Sequence, residues 1–213
     1  MVYENFKFIM NIKFTILTFF LVSLAYCQEE KLLLDSLFEE EEIKESEKLL
    51  PDRMIFTQSL LWGKNGIFRK TKISELNKEQ RIKELKVRKV MLKTHQYIGY
   101  LTLAGMIAQG FLGGKLYNNW ERNLYNTHKT VGRIVTASYF TGAGLSLFAP
   151  PPLVNKKLSG FNSIRAHKIL ATIHFSGMIA TNAFSKKNTD FHKYSAYTTF
   201  ASYFAAVLVF KFK

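Results

Sequence analysis

Four of the five histidines open four apolar segments with a similar short phrase: His95-Gln-Tyr-Ile-Gly99, His128-Lys-Thr-Val-Gly132, His167-Lys-Ile-Leu-Ala171 and His192-Lys-Tyr-Ser-Ala196. Neutral imidazole is the commonest side-chain metal ligand, and its ordinary pKa lies close to neutrality. If each phrase begins a helix, the Gly or Ala four residues on lies one turn below the ring on the same face. The pattern predicts slots in which Gly99, Gly132, Ala171 and Ala196 let a flat ligand approach the backbone beneath His95, His128, His167 and His192. His174, seven residues after His167, falls two turns deeper on that face. It is a second-tier candidate: an alternative ligand, a proton relay or a polar contact between helices.

The elements that must carry these rings are four apolar stretches, roughly 91–113, 127–149, 164–184 and 191–210. Each is near the ~20 residues that a bilayer demands, and each is almost free of charge past its first turns. Asn126, Ser163 and Asp190 are candidate N-caps, and Pro150, Pro151 and Pro152 stop the second helix. Short connections suit antiparallel neighbours. Gly105, Ala108, Gly110, Gly142, Ala143, Gly177 and Ala180 permit close helix packing. The expected fold is all-α, a four-helix transmembrane up-down bundle. In it His95 and His167 meet at one face and His128 and His192 at the other. A helical protein with a large internal core is the competing architecture, supported by a mean hydropathy of −0.03.

Upstream, Lys13 and the apolar run 14–25, followed by Cys27, read as a signal peptide over residues 1–27. Cys27 is the only cysteine, so no intramolecular disulfide forms; its lipidation is the alternative to cleavage after it. Residues 28–52 hold ten of the sixteen acidic residues, and 25 of the 30 Lys and Arg lie from Arg53 onward. Residues 28–90 thus form an acidic-then-basic exported segment, partly helical, that suits a protein partner, and residues 91–213 form the four-helix domain. Within 28–90 a helix is predicted to begin after Asn77, with Gln80 completing the cap, and to run on as a basic arm. The cations flank apolar runs, which favours a lipid bilayer and argues against nucleic acid. The expected location is integral to a bacterial inner membrane with residues 28–90 outside the cytoplasm. The distribution of Lys and Arg argues for the opposite orientation.

Two histidine pairs on two levels suit two haem groups, since neutral imidazole is a good axial ligand to haem iron. Lys93 and Lys168 near one pair, and Lys129, Arg133 and Lys193 near the other, suit propionate carboxylates or simple snorkelling. Over residues 95–210 the chain resembles the transmembrane dihaem cytochromes of the cytochrome b-561 family, on the pattern of these four histidines. The resemblance implies two b-type haems, one held by His95 with His167 and one by His128 with His192. It also implies single-electron transfer across the membrane, by an electron carrier or membrane oxidoreductase, to quinone, ferric iron or a redox partner. No ascorbate-binding segment is recognisable, so no donor carries over. Three readings compete: histidines that only cap or hydrogen-bond, a cofactor-free membrane scaffold or assembly factor, and a divalent-metal carrier. The lack of helix carboxylates weakens the carrier. No phosphate-binding glycine loop, cysteine cluster or Ser/His/Asp set is present, which argues against hydrolase and nucleotide chemistry.

Overall fold

The computed structural model describes residues 48–152 and 163–209, all within the compact unit Ser46–Lys213. The signal segment, Cys27 and the acidic run before Lys48 lie outside the described residues. Among the described residues six helices follow one another: α1 Phe56–Trp62, α2 Ile67–Lys70, α3 Lys78–Asn118, α4 Arg122–Leu147, α5 Ser163–Phe184 and α6 Thr189–Leu208.

Local chemistry accounts for the boundaries. The Asn77 side chain accepts from the Gln80 amide at 2.8 Å, and the helix it starts runs unbroken for 41 residues, carrying the basic arm straight into the histidine-bearing segment. Residues 90 and 91 therefore fall inside one helix. The next helix begins at Arg122, ahead of the expected Asn126, and ends at Leu147 before the three prolines. The last helix is capped by Asn188, which accepts from the Phe191 amide at 2.9 Å, and Asp190 sits in its first turn, where its charge favours the dipole.

Pairs α3–α4 and α5–α6 form two tightly packed hairpins, whereas contact between hairpins is sparser and runs mainly through α3 and α6. Large side chains bridge that wider gap. Leu103 and Met106 of α3, Val135 and Tyr139 of α4, Met178 of α5 and Tyr203 of α6 make one buried cluster.

The hairpins are also related in sequence. His95 with Gly105-Met106-Ile107-Ala108 recurs as His167 with Gly177-Met178-Ile179-Ala180, and His128 with Ala137-Ser138-Tyr139-Phe140 recurs as His192 with Ala201-Ser202-Tyr203-Phe204, at identical spacings. Packing follows the repeat. A Cβ on Gly105 would meet Val135 of α4, and one on Gly177 would meet Thr199 of α6, and both partners stand seven residues after the second histidine of their hairpin. Each hairpin is thus one copy of the same helix-packing unit.

A short N-terminal layer, residues 48–76, is clamped onto α3 and onto the turn after α4. Glu84 is bound by Arg69, Arg81 and Ser74 in a buried cluster. Arg81, 1% exposed, also donates to the carbonyls of Leu49 and Pro151 at 2.8 and 2.9 Å. Arg88 donates to Pro150 O, Thr57 to Leu147 O and Trp62 to Phe148 O. Burial pushes the Glu84 carboxyl up, but the bonds from Arg69, Ser74 and Arg81 outweigh it and leave the pKa below the ordinary value.

The transmembrane expectation is corrected. Among the described residues, no helix is long and apolar enough to cross a membrane. The transmembrane bundle and the integral inner-membrane location fall with that finding. The reason lies in what fills the apolar stretches: residues 98–111 include Gly99, Thr102, Gly105, Gln109 and Gly110, and α6 includes Ser195, Thr198, Thr199 and Ser202. Such residues contribute little or nothing to transfer into hydrocarbon. The hydroxyls bond within the protein instead, Thr199 to Ser195 O at 2.7 Å and Ser202 to Thr198 O at 2.6 Å.

Candidate functional site

Three of the four entrance histidines use Nδ1 in the same way. His95 donates to Gly142 O at 2.8 Å, His167 to Ala206 O at 3.2 Å and His192 to Thr181 O at 2.7 Å. A carbonyl only accepts, so Nδ1 carries the proton in each, and the lone pair of the neutral ring is on Nε2. Every acceptor lies on the other helix of the same hairpin, fourteen residues past that hairpin's other histidine. The duplication therefore extends to the hydrogen bonds. By the same rule His128 should reach Gln109 O. Instead the Gln109 side chain donates to His128 O at 2.8 Å, and the buried His128 Nδ1 has no hydrogen-bond partner.

At one end of the bundle His128 and His192 come together, with ring centres 6.2 Å apart and planes at 85°. At the other end His95 and His167 lie within electrostatic reach of each other. Burial holds the His128 pKa below its ordinary value, and His192 adds to the effect. His167 is lowered too, by burial and by His95 against the raising effect of the Ala206 carbonyl. Burial therefore favours the neutral, ligating form of both rings.

Between the two levels sits a polar layer. His174 Nδ1 and the Tyr139 hydroxyl are 2.6 Å apart, and the His174 and Tyr203 rings are 4.9 Å apart. Tyr203 donates to Gly99 O at 3.1 Å, and Thr102 and Ser138 share a 2.6 Å hydrogen bond. Burial drives His174 down to about 4, with His167 and His95 adding to it. Burial drives the Tyr203 phenol up to about 12, and pushes Tyr139 up as well.

The small residues do a different job from the one expected. A Cβ on Gly132 would meet the Gln109 amide at 3.2 Å, and one on Gly99 the Tyr203 hydroxyl at 3.5 Å, so side chains fill the space below those histidines. Ala171 and Ala196 are half-buried. The glycine that admits an imidazole is Gly113, where a Cβ would meet His128 Cε1 at 3.2 Å; a Cβ on Gly142 would press on Ile98 Cγ2 at 3.3 Å and stand in ordinary contact, 3.8 Å, from His95 Nδ1. Sequence reasoning missed the role of Gly113, the carbonyls that fix the rings, and Tyr139 and Tyr203. The signal that could have found the tyrosines is the repeated Ala-Ser-Tyr-Phe nine residues after His128 and His192.

Among the described residues no group of three or more His, Cys, Asp or Glu is placed to hold a metal ion. The expectation of a metal-binding, haem-carrying membrane protein thus has neither a spanning helix nor a multi-donor metal group behind it among the described residues. The histidines stand as two separate pairs because the bundle sets them at opposite ends. Comparison with known protein families, with curated proteins and with solved structures finds no match in any of the three.

Proposed function

We propose that His95 with His167 and His128 with His192 would each hold one haem b group, so that the bundle would carry single electrons between its ends. A porphyrin brings four ligands of its own and asks the protein for two, which paired histidines can provide without a third donor. The single observation that carries the reading is the shared use of Nδ1. Metal-ligating histidines characteristically donate their other ring N–H to a backbone carbonyl, which fixes the tautomer and raises ligand basicity. Three rings on three helices do so here.

The spacing of the fourth ring supports it. His128 and His192 stand 6.2 Å apart. The members of each pair come from different hairpins, so a ligand held by both would lie between them. Bound there, haem would supply one-electron redox chemistry. The chain's own contribution is to hold neutral imidazoles in fixed orientation, exclude water and set the local polarity through Tyr139, His174 and Tyr203.

The test is a reduced-minus-oxidised absorption spectrum of protein made in haem-supplied cells. Wild type should show low-spin haem at two per chain. Replacing His128 or His95 by Ala should remove one haem and leave the other pair's signal. A colourless wild type, or full colour after all four replacements, overturns the reading and leaves a cofactor-free scaffold.

A further inference from the structure

The two ends of the bundle use their arginines differently. At the His95/His167 end the arginines are spent internally: Arg69 and Arg81 on Glu84, and Arg81 and Arg88 on the carbonyls of the proline turn. The layer made by residues 48–76 covers that turn, with Thr57 and Trp62 bonded to Leu147 O and Phe148 O. At the His128/His192 end the two interhelical turns lie side by side. Lys193 Nζ sits 3.8 Å over the Tyr117 ring, and the Tyr117 hydroxyl donates to Asp190 at 3.3 Å.

This turn end is exposed and strongly basic. Lys115, Arg122, Lys129, Arg133, Lys186 and Lys187 are all exposed. Within 115–133 and 186–193 only Glu121 and Asp190 oppose them. Among the described residues none of the six makes an ion pair. Exposed Tyr117, Trp120, Tyr125 and Tyr194 lie among them, with Trp120 at 65%. Arginine, tyrosine and tryptophan are the residues that anchor protein interfaces, and a single-sign field accelerates encounter with a partner of opposite sign.

We propose that this turn end is the docking surface for an acidic protein, one presenting a carboxylate-rich patch. The choice of a protein rests on aromatics interleaved with cations that make no ion pair among the described residues. The proposal deepens the electron-transfer reading, since it makes His128/His192 the pair nearest the exchange surface, but the surface itself is defined without any cofactor.

Its test needs no cofactor either. A fluorescently labelled poly-glutamate peptide is titrated with the full chain at low ionic strength and followed by anisotropy. The variant Arg122→Glu/Lys186→Glu/Lys187→Glu should weaken binding by about tenfold or more, and salt should weaken wild-type binding. The charge-matched variant Lys64→Glu/Lys83→Glu/Lys86→Glu, altered away from the turns at exposed positions, should change it by less than about twofold. Equal loss in both variants would reduce the effect to net charge and overturn the proposal. So would absent binding, or phosphatidylglycerol vesicles capturing wild type through the turn cations while the peptide does not bind. If the spectrum shows haem, reoxidation by anionic ferricyanide should slow in the turn variant and that by cationic hexaammineruthenium should not. A colourless protein that still binds the peptide through the turns refutes the cofactor and keeps the docking surface.

Discussion

Adding one methyl group at Gly105, Gly110 or Gly177 is the same chemical change in three surroundings. In a helix interior Ala is favoured over Gly by about 0.8–1.0 kcal/mol. At Gly110 nothing lies within 4 Å of the new Cβ, so the full gain should appear. At Gly105 the Cβ would stand 2.6 Å from Val135 Cγ2, and a β-branched side chain on a helix has one strongly preferred rotamer and yields poorly. Overpacking of that kind costs about 1–3 kcal/mol, leaving a net loss near 1 kcal/mol. At Gly177 the methyl would collide with Thr199 Oγ1, with the Thr199 Cα and Cβ a further barrier at 3.5 Å. Turning that hydroxyl away breaks its bond to Ser195 O, which adds about 1 kcal/mol and brings the net loss to about 2 kcal/mol. The spread between Gly110→Ala and Gly177→Ala is therefore about 3 kcal/mol, and at about 2–4 °C per kcal/mol it is easily resolved by thermal melts followed by circular dichroism. Thr199→Ala, which removes the struck hydroxyl, should rescue Gly177→Ala by more than additivity allows. Equal melting temperatures for the three single variants, or no rescue, would refute the packing argument.

Two further predictions concern buried charge. Glu84→Gln leaves Arg69 and Arg81 without their anionic partner and should cost about 3–5 kcal/mol in chemical denaturation. Because the Glu84 pKa is lowered in the fold, its contribution is complete above the carboxylate's ordinary 4.5 and is lost as pH falls through the folded value. His174 has the opposite chemistry and the same acid sensitivity. Its folded pKa of about 4 lies below the ordinary 6.5, so the unfolded chain binds more protons between those values and stability drops as pH falls through that window. At about 1.36 kcal/mol per unit the loss is on the order of 3 kcal/mol by pH 4, and His174→Thr should flatten that part of the stability profile.

The helices were legible because their signals are local: Asn77 and Gln80 cap α3, the three prolines bound α4, and the histidine phrases lie within helices. The pairing of His128 with His192 was legible for a similar reason, since alternating helix direction alone brings the second and fourth entrances to one end. Runs such as 98–111 and α6 suggest membrane insertion by their lack of charge alone. Their Gly, Thr, Ser and Gln content is what decides transfer into hydrocarbon. The slots below the histidines were misjudged because spacing on one helix says nothing about what the neighbouring helix inserts. Gln109 and Tyr203 belong to α3 and α6, and only the packed hairpins bring them to Gly132 and Gly99.

The duplication ties these pieces together, and its departures are as informative as its agreements. Each pair consists of equivalent residues, one from each hairpin, so a ligand lying between the members of a pair sees nearly the same surroundings on both sides. That suits a flat group with two similar faces. Two of the departures from equivalence concern the polar groups. His174 occupies the place in the second hairpin that Thr102 holds in the first, seven residues after the entrance histidine. Tyr139 accordingly partners His174, whereas its counterpart Tyr203 bonds the Gly99 carbonyl. The second departure is His128, which lacks the carbonyl bond its three counterparts make. An unsatisfied buried nitrogen costs about 1–3 kcal/mol, which on the haem reading is offset by a second demand on the same ring. His128 is also the ring that faces His192 at 6.2 Å, and the competing demand is met there if that pair shares a ligand.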